Sequence, residues 1–259
     1  MALVSGFFSK TFVIAELEAR KLRHDPSEIL SRAVQPALWL LIFGEVFTRA
    51  RAIPTGRLRY IDFMAPGILA QSVLFIAIFY GIAIIWERDL GIVHKLLASP
   101  TPRSAIVLGK AISAGVRGLA QAVVVYLLAL LVDVHLNWNP LDLIGVGFTV
   151  LLGASLFSTF SLIVACIVKT RERFMGIGQL VTMPLFFASN AIYPIAMMPT
   201  WLQYAAKANP LSYEVDALRS MMLVGGVANQ GLFLDLTVLF LATIVLVILG
   251  ARLYPRVVT

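Results

Sequence analysis

Two stretches, Leu143–Val168 and Phe174–Ala206, contain no charged residue at all. Each exceeds the roughly 20 helical residues needed to cross a bilayer. Elsewhere between Ala33 and Gly250 the apolar sequence is broken only by short charged clusters. Those clusters lie too far apart for a soluble core. With 59% hydrophobic and 14% charged residues, the composition is that of an integral membrane protein. The fold class that follows is all-α, because a helix satisfies its own backbone groups where no water can. Residues 1–259 are read as one membrane domain, with no room for a soluble catalytic domain beside it.

Six transmembrane helices are expected, at about 29–48, 63–86, 107–132, 142–168, 174–197 and 232–253. The first has only twelve uncharged residues between Arg32 and Glu45. Snorkelling of both side chains would extend it to a full span. Lys110 and Arg117 place the first turns of the third at a wet interface. An even count puts both termini on one side, and charge decides which. Fourteen of the 21 Lys and Arg residues fall on that side, and six on the other. The positive-inside rule therefore makes the termini cytoplasmic. The loop carrying Arg49, Arg51, Arg57 and Arg59 argues the other way. The net charge of +7 sits next to the spans and reads as contact with anionic lipid head groups, not nucleic acid.

Before the first span, Phe8, Phe12, Ala15, Ala19 and Leu22 repeat at helical spacing, with charges elsewhere around the helix. That is an amphipathic helix suited to lying in the membrane interface or packing on the bundle. No cleavable signal peptide is expected, since Glu16 and Glu18 break the N-terminal apolar stretch. Between spans two and three, Leu90, Val93, Leu96 and Leu97 recur among charged residues over Glu87–Pro100, and Pro100 and Pro102 stop the pattern. A short charged-and-apolar helix of this kind suits docking into a groove on a partner. After span five, Pro194, Pro199, Trp201, Tyr204, Pro210 and Tyr213 exclude one continuous helix. Short re-entrant outer helices fit better than a seventh span, with the aromatics at head-group level.

These segments also carry a resemblance. Met198-Pro199, ten residues, Pro210-Leu211-Ser212-Tyr213, five residues and Arg219 resemble the signature of the ABC-2 type transporter permeases. The stretch Glu87, Gly91, Lys95-Leu96-Leu97, Pro100 and Leu108-Gly109-Lys110 is similar to that family's cytosolic loop. The run from Tyr60 to Ile68 resembles daunorubicin-resistance-type permeases, while polysaccharide-export-type permeases share the same plan. The resemblance implies a membrane subunit of an ATP-driven exporter in the bacterial inner membrane. It implies a homodimer with two copies of a cognate ABC ATPase. Residues 87–100 would be the coupling helix, with Glu87, Gly91, His94, Lys95 and Leu96 near the ATPase. Residues 1–27 would hold the connecting helix, with Arg20 and Arg23 near the same subunit. Residues 198–213 would be the re-entrant outer segment, with Pro199, Trp201, Pro210, Tyr213 and Arg219 forming an outer gate.

The residues themselves exclude several chemistries. Gly109-Lys110 is followed by Ala111, and Ser104 stands where a P-loop needs glycine, so the chain holds no nucleotide site of its own. ATP and Mg would belong to the partner subunit, and this chain binds no cofactor. His24, His94 and His135 are dispersed, and no span holds a histidine that could act as base for a serine nucleophile. Cys166, the single cysteine, forms no disulfide framework. Gln71, Phe75 and Phe79 recur on one face of span two, and Gln179, Met183, Phe186 and Asn190 mark span five. Met between two copies of the chain, they would line a greasy cleft with a few amides, fit for an amphipathic drug, lipid or lipid-linked glycan. The alternative is packing against the core or lipid. The rival class is a gradient-driven carrier, which needs ionisable groups near the bilayer midplane. Glu45 and Arg117 lie too near the span ends for that role.

Overall fold

The computed structural model describes residues 26–257 except 52, 57, 99, 100 and 169, and not the side chains of 26–31 and 257. The expected connecting helix, with Arg20 and Arg23, lies outside the described residues, as does Arg57. Among the described residues all regular structure is helical, apart from one isolated bridge between Leu136 and Leu223.

The chain starts as α1 (Pro26–Leu38), passes through a π-helical stretch (Trp39–Gly44) and continues as α2 (Glu45–Ala50). Pro36 inside α1 removes a backbone donor, and the widened turn follows directly. The expected first span, 29–48, therefore lies inside a helical run with an irregular middle. Then come α3 (Tyr60–Asp89), the short α4 (Ile92–Ala98), α5 (Arg103–Leu131) and α6 (Pro140–Ile167). They are followed by α7 (Arg171–Phe187), α8 (Thr200–Ala208), α9 (Pro210–Met222) and α10 (Leu232–Leu253). Four helices are long and apolar enough to cross a membrane: α3, α5, α6, and α10 with its short extension to Arg256.

The helix ends fall into two groups. At one end Arg171 of α7 reaches Asp89 of α3 at 2.7 Å and stacks over Trp86 at 4.3 Å. This is the Gly91 end. At the other, Arg59 bonds Asp62 at 2.9 Å and also the Asp133 carbonyl, while the backbone of His135 donates to Asp62 at 3.1 Å. This is the His135 end. Arg59 thus clips the loop before α3 to the α5–α6 connection, which accounts for one of the four arginines that opposed the charge rule.

Helix α6 is the hub, packing along α3, α5 and α10. Lipid supplies no hydrophobic force between helices, so small residues and polar contacts hold such a bundle. Ser161 donates to the Ile78 carbonyl of α3, and Ser155 to the Ala111 carbonyl of α5 at 3.2 Å. The main core runs through Ile68, Val73, Val150, Phe157 and Leu218. A second apolar cluster at the Gly91 end holds Ile84, Val93, Ile106, Cys166, Phe174 and Tyr254.

The expected fifth span, 174–197, is corrected. Helix α7 has 17 residues and stops at Phe187. Pro184 lies in its last turn, and Ala188 and Ser189 close the end by bonding back to Pro184 and Phe186. Helix α9 then outruns the expected 198–213 segment and extends to Met222. One side chain joins the two. Asn209 Nδ2 donates to the Leu185 and Ala188 carbonyls at 2.7 and 3.0 Å, while its Oδ1 caps α9 at Leu211 N, 3.0 Å away. Asn209→Ala removes a helix cap and leaves two part-buried carbonyls without this donor, so a loss of about 1–2 kcal/mol is expected. Thermal melting of the detergent-solubilised protein checks this, and an unchanged melt would refute the stapling role.

Candidate functional site: a coupling elbow, a cleft and a buried arginine

The 87–100 segment is not one helix. Glu87 and Arg88 belong to the last turn of α3, Leu90 and Gly91 turn the chain, and α4 starts at Ile92. Gly91 has φ of +71°, the left-handed conformation that glycine adopts at low cost. Helix α4 is anchored by Val93, which is fully buried, while His94 and Lys95 are exposed and Leu96 is half-buried. Around them Trp86, Leu90 and Ile92 are exposed large apolar groups. The elbow therefore shows a mixed apolar and basic face at the Gly91 end, held from behind by a side chain in the core.

Two residues read as surface charges turn inward. Glu87 is buried, and its carboxylate accepts from Lys110 Nζ of α5 at 2.6 Å. The expectation that Lys110 sits at a wet interface is corrected: it is 3% exposed. Its charge is satisfied across the hairpin and not by water. Glu87 accordingly braces the elbow and does not face outward as His94 and Lys95 do.

A cleft of about 350 Å³ opens between α1, α3 and α5, lined by Gln35, Ser72, Phe75, Phe79 and Gln121 among others. It meets a second cleft of about 730 Å³, which shares Arg32, Ile76 and Phe79 with it and continues past Arg117 to Trp86 and Leu90. Phe75 and Phe79 stack at 6.1 Å. Gln71 is buried and does not line the cleft. Gln121 does, and both its amide atoms are buried without a partner among the described residues. The span-five residues lie elsewhere. Gln179 is exposed, Met183 is half-buried, and Phe186 is fully buried against Trp39 of the π-helical stretch at 5.8 Å. Within one chain the two expected faces do not meet in a single cleft.

In the chain after α7, Pro199, Trp201 and Tyr204 are exposed, and Pro210 and Tyr213 are half-buried. Tyr213 Oη donates to the Lys207 carbonyl at 2.7 Å, closing the α8–α9 hairpin. Arg219 is buried, with its guanidinium 3.8 Å from the centre of the Phe63 ring. Its Nη2 donates to the Asn190 carbonyl at 2.7 Å. Sequence reasoning placed Arg219 in this region but missed its neighbours. Asp216 accepts from Asn229 Nδ2 and from Gln230 N, both at 2.9 Å. Glu214 is fully buried, its carboxylate against Gly153 of α6 and without a hydrogen-bond partner among the described residues. Among the described residues no group of His, Cys, Asp and Glu could hold a metal ion.

Known proteins match over this same framework. The family described as "ABC-2 type transporter" matches residues 9–223. "Putative transport permease ycf38" of Cyanophora paradoxa is 27% identical over 215 residues, covering 82% of this chain and 74% of that protein. "Daunorubicin resistance ABC transporter permease protein DrrB1" of Streptomyces coeruleorubidus is 25% identical over 200 residues, covering 77% and 70%. "Inner membrane transport permease YadH" of Escherichia coli K12 is 26% identical over 191 residues, covering 70% of each. The match spans α1 to α9, so it includes the elbow, the cleft and the buried arginine alike. Four helices long and apolar enough to span a bilayer are what a membrane transport subunit needs, and with the family match covering most of its length the chain belongs to the ABC-2 type transporter family.

Proposed function

We propose that this chain is the membrane subunit of an ATP-driven exporter, working as a homodimer with two copies of a separate ABC ATPase. ATP and Mg sit on that partner, and this chain binds no cofactor. The supporting observation is the elbow: α4 is buried through Val93, and presents Leu90, Ile92, His94 and Lys95 outward. A push on that face passes to α3 and α5 through the Glu87–Lys110 contact. The cargo is an amphipathic drug, a lipid or a lipid-linked glycan. The cleft beside Phe75, Phe79 and Gln121 supports this, because it combines aromatic walls with unpaired amide groups.

Six spans make the bundle in this reading. To the four long helices it adds the 26–50 run and α7, whose 17 residues lie at the short limit for a crossing. The Gly91 end and both termini then face the cytoplasm of a bacterial cell, in its inner membrane. The 198–213 segment caps the pathway outside. Exposed Trp201 and Tyr204 suit the head-group level there.

Co-purification with a cognate ABC ATPase tests the reading. Lys95→Glu and Leu90→Asp on the elbow are each expected to weaken capture of the ATPase about tenfold, equivalent to about 1.4 kcal/mol. Lys207→Glu at the opposite end is expected to leave it unchanged. The chain alone in liposomes should show no nucleotide turnover. Full capture by both elbow variants, or labelling of His94→Cys from outside intact cells, would overturn the proposal.

One observation favours the rival, a gradient-driven carrier. The buried Glu214 lies against Gly153, midway along the 28 residues of α6, which is the depth such a carrier requires. Glu214→Gln separates the two: transport dependent on a proton gradient would vanish, whereas ATP-driven transport would persist.

A further inference from the structure

We infer that the Arg219 pocket is a binding site for an oxyanion with a neighbouring hydroxyl, the chemistry of a glycerol phosphate head group. The cavity measures about 420 Å³ and lies at the His135 end, between the basic loop, the turn after α7, and α9. Its lining includes Thr55, Phe63, Asn190, Pro194, Arg219 and Asn229, and Arg219 is the one ionised residue among those that line it.

The guanidinium is held as an instrument would be mounted, on two of its three nitrogens. Nη2 is spent on the Asn190 carbonyl at 2.7 Å and leans on the Phe63 carbonyl at 3.3 Å, with Nε 3.4 Å from the same oxygen. Phe63 covers one face of the plane. Nη1 is buried with no partner among the described residues. Arginine cannot shed its proton, so this edge keeps its charge and needs an acceptor. Asp216 supplies a negative charge one turn earlier on α9. Its two oxygens are already taken by Asn229 and Gln230, and it does not line the cavity.

The same cavity offers the complementary group. Asn190 Oδ1 is also buried and unpartnered among the described residues. The amide orientation has a physical reason: its Nδ2 points to the Asp216 carboxylate at 3.5 Å, which can only accept. The oxygen is therefore the free end, and it calls for a donated O–H. An anion alone would satisfy Arg219 and repel Asn190 Oδ1. A sugar alone would leave the cation bare. A phosphate ester of a polyol meets both, and the prolines at the rim suit the start of an acyl chain. Exposed Arg51 in the adjoining loop adds to the attraction, which gives the unexplained basic loop a role.

The binding site rests on the cavity alone; its place at the exit of the transport path rests on the function proposed above. The test is binding to the full chain, solubilised in neutral detergent without its ATPase, followed by native mass spectrometry. The probes are dihexanoyl phosphatidylglycerol, glycerol 1-phosphate and dihexanoyl phosphatidylcholine. Phosphatidylglycerol is expected to bind at least about tenfold more tightly than phosphatidylcholine. Glycerol 1-phosphate binding equally well would make a soluble ligand sufficient, and its failure would require the lipid. Arg219→Gln should abolish the preference, but it also cuts bonds to two other segments. Ala196 therefore supplies the second variants, since it lines the cavity and is exposed. Ala196→Glu, which offers Arg219 a carboxylate, and Ala196→Trp, which fills the space, should each lower the affinity at least about tenfold. Equal binding of all lipids by the wild type, or undiminished phosphatidylglycerol binding in both Ala196 variants, would overturn the assignment. Lost binding with intact ATPase coupling counts against this site alone, and the reverse counts against the exporter reading alone.

Discussion

Glu87→Gln is expected to destabilise the protein by about 3–5 kcal/mol, although it changes one atom of one side chain. The substitution leaves the Lys110 ammonium, 3% exposed, without the carboxylate now 2.6 Å away. Removing one member of a buried pair strands the other charge, and that is the costly half of the process. The nearby Arg171–Asp89 pair sits at a similar 2.7 Å, but with side chains 43% and 38% exposed. Breaking it is expected to leave the melting temperature nearly unchanged, since solvent screens it. Replacing both buried partners, as Glu87→Leu with Lys110→Met, should recover most of the loss because no lone charge remains. Cys166 provides the measurement. It is the single cysteine, it is buried, and it belongs to the apolar cluster at this end. Its rate of alkylation reports opening of the region directly. A Glu87→Gln protein whose thiol is as protected as the wild type would refute the pairing. The same double variant bears on the proposed function, under which an apolar pair keeps the elbow braced and preserves coupling to the proposed ATPase.

Gly67→Ala is expected to cost about 3 kcal/mol or more, at the upper end of what overpacking produces. A Cβ at this position would lie 2.4 Å from the Ala191 carbonyl oxygen and 2.7 Å from its Cα. All three nearest atoms are backbone, so no side chain can rotate away. Helix α3 must instead separate from the turn that follows α7. That turn also carries the Asn190 carbonyl which holds Arg219, so the arginine should lose its mounting as the helices part. Gly176→Ala is the control, with nothing within 4 Å of its added methyl. Lying in a helix, it should be neutral or stabilising by up to about 1 kcal/mol. Melting curves of the two proteins in the same detergent decide the matter, and equal curves would refute the close approach.

The long helices were legible because their signal is redundant. The expected 63–86, 107–132, 142–168 and 232–253 correspond to Tyr60–Asp89, Arg103–Leu131, Pro140–Ile167 and Leu232–Leu253. Twenty or more apolar residues between charged ends constrain a helix many times over. The end of α7 was not legible. The apolar run continues to Ala206, and hydropathy reports the surrounding solvent without reporting the path of the backbone. What stops the helix is Pro184 together with Asn209, which reaches back 24 residues to the Leu185 carbonyl. The charges of Glu87 and Lys110 misled for a related reason. Separated by 23 residues, they become partners only once α3 and α5 lie side by side. Gln71 was expected on the pathway and Gln121 was not, because Gln71 shares a helix face with Phe75 and Phe79. Only packing shows that Gln121 is the one lining the cleft.

Composition and spacing alone determined that the chain is helical and lies in a membrane. Those properties depend on runs of residues, and local averages carry them. Only the tertiary structure decided which charges are buried, where α7 ends and what surrounds Arg219. Each of those depends on atoms from distant segments meeting within about 3 Å. Contacts of that kind are made by packing, and no window of sequence contains them.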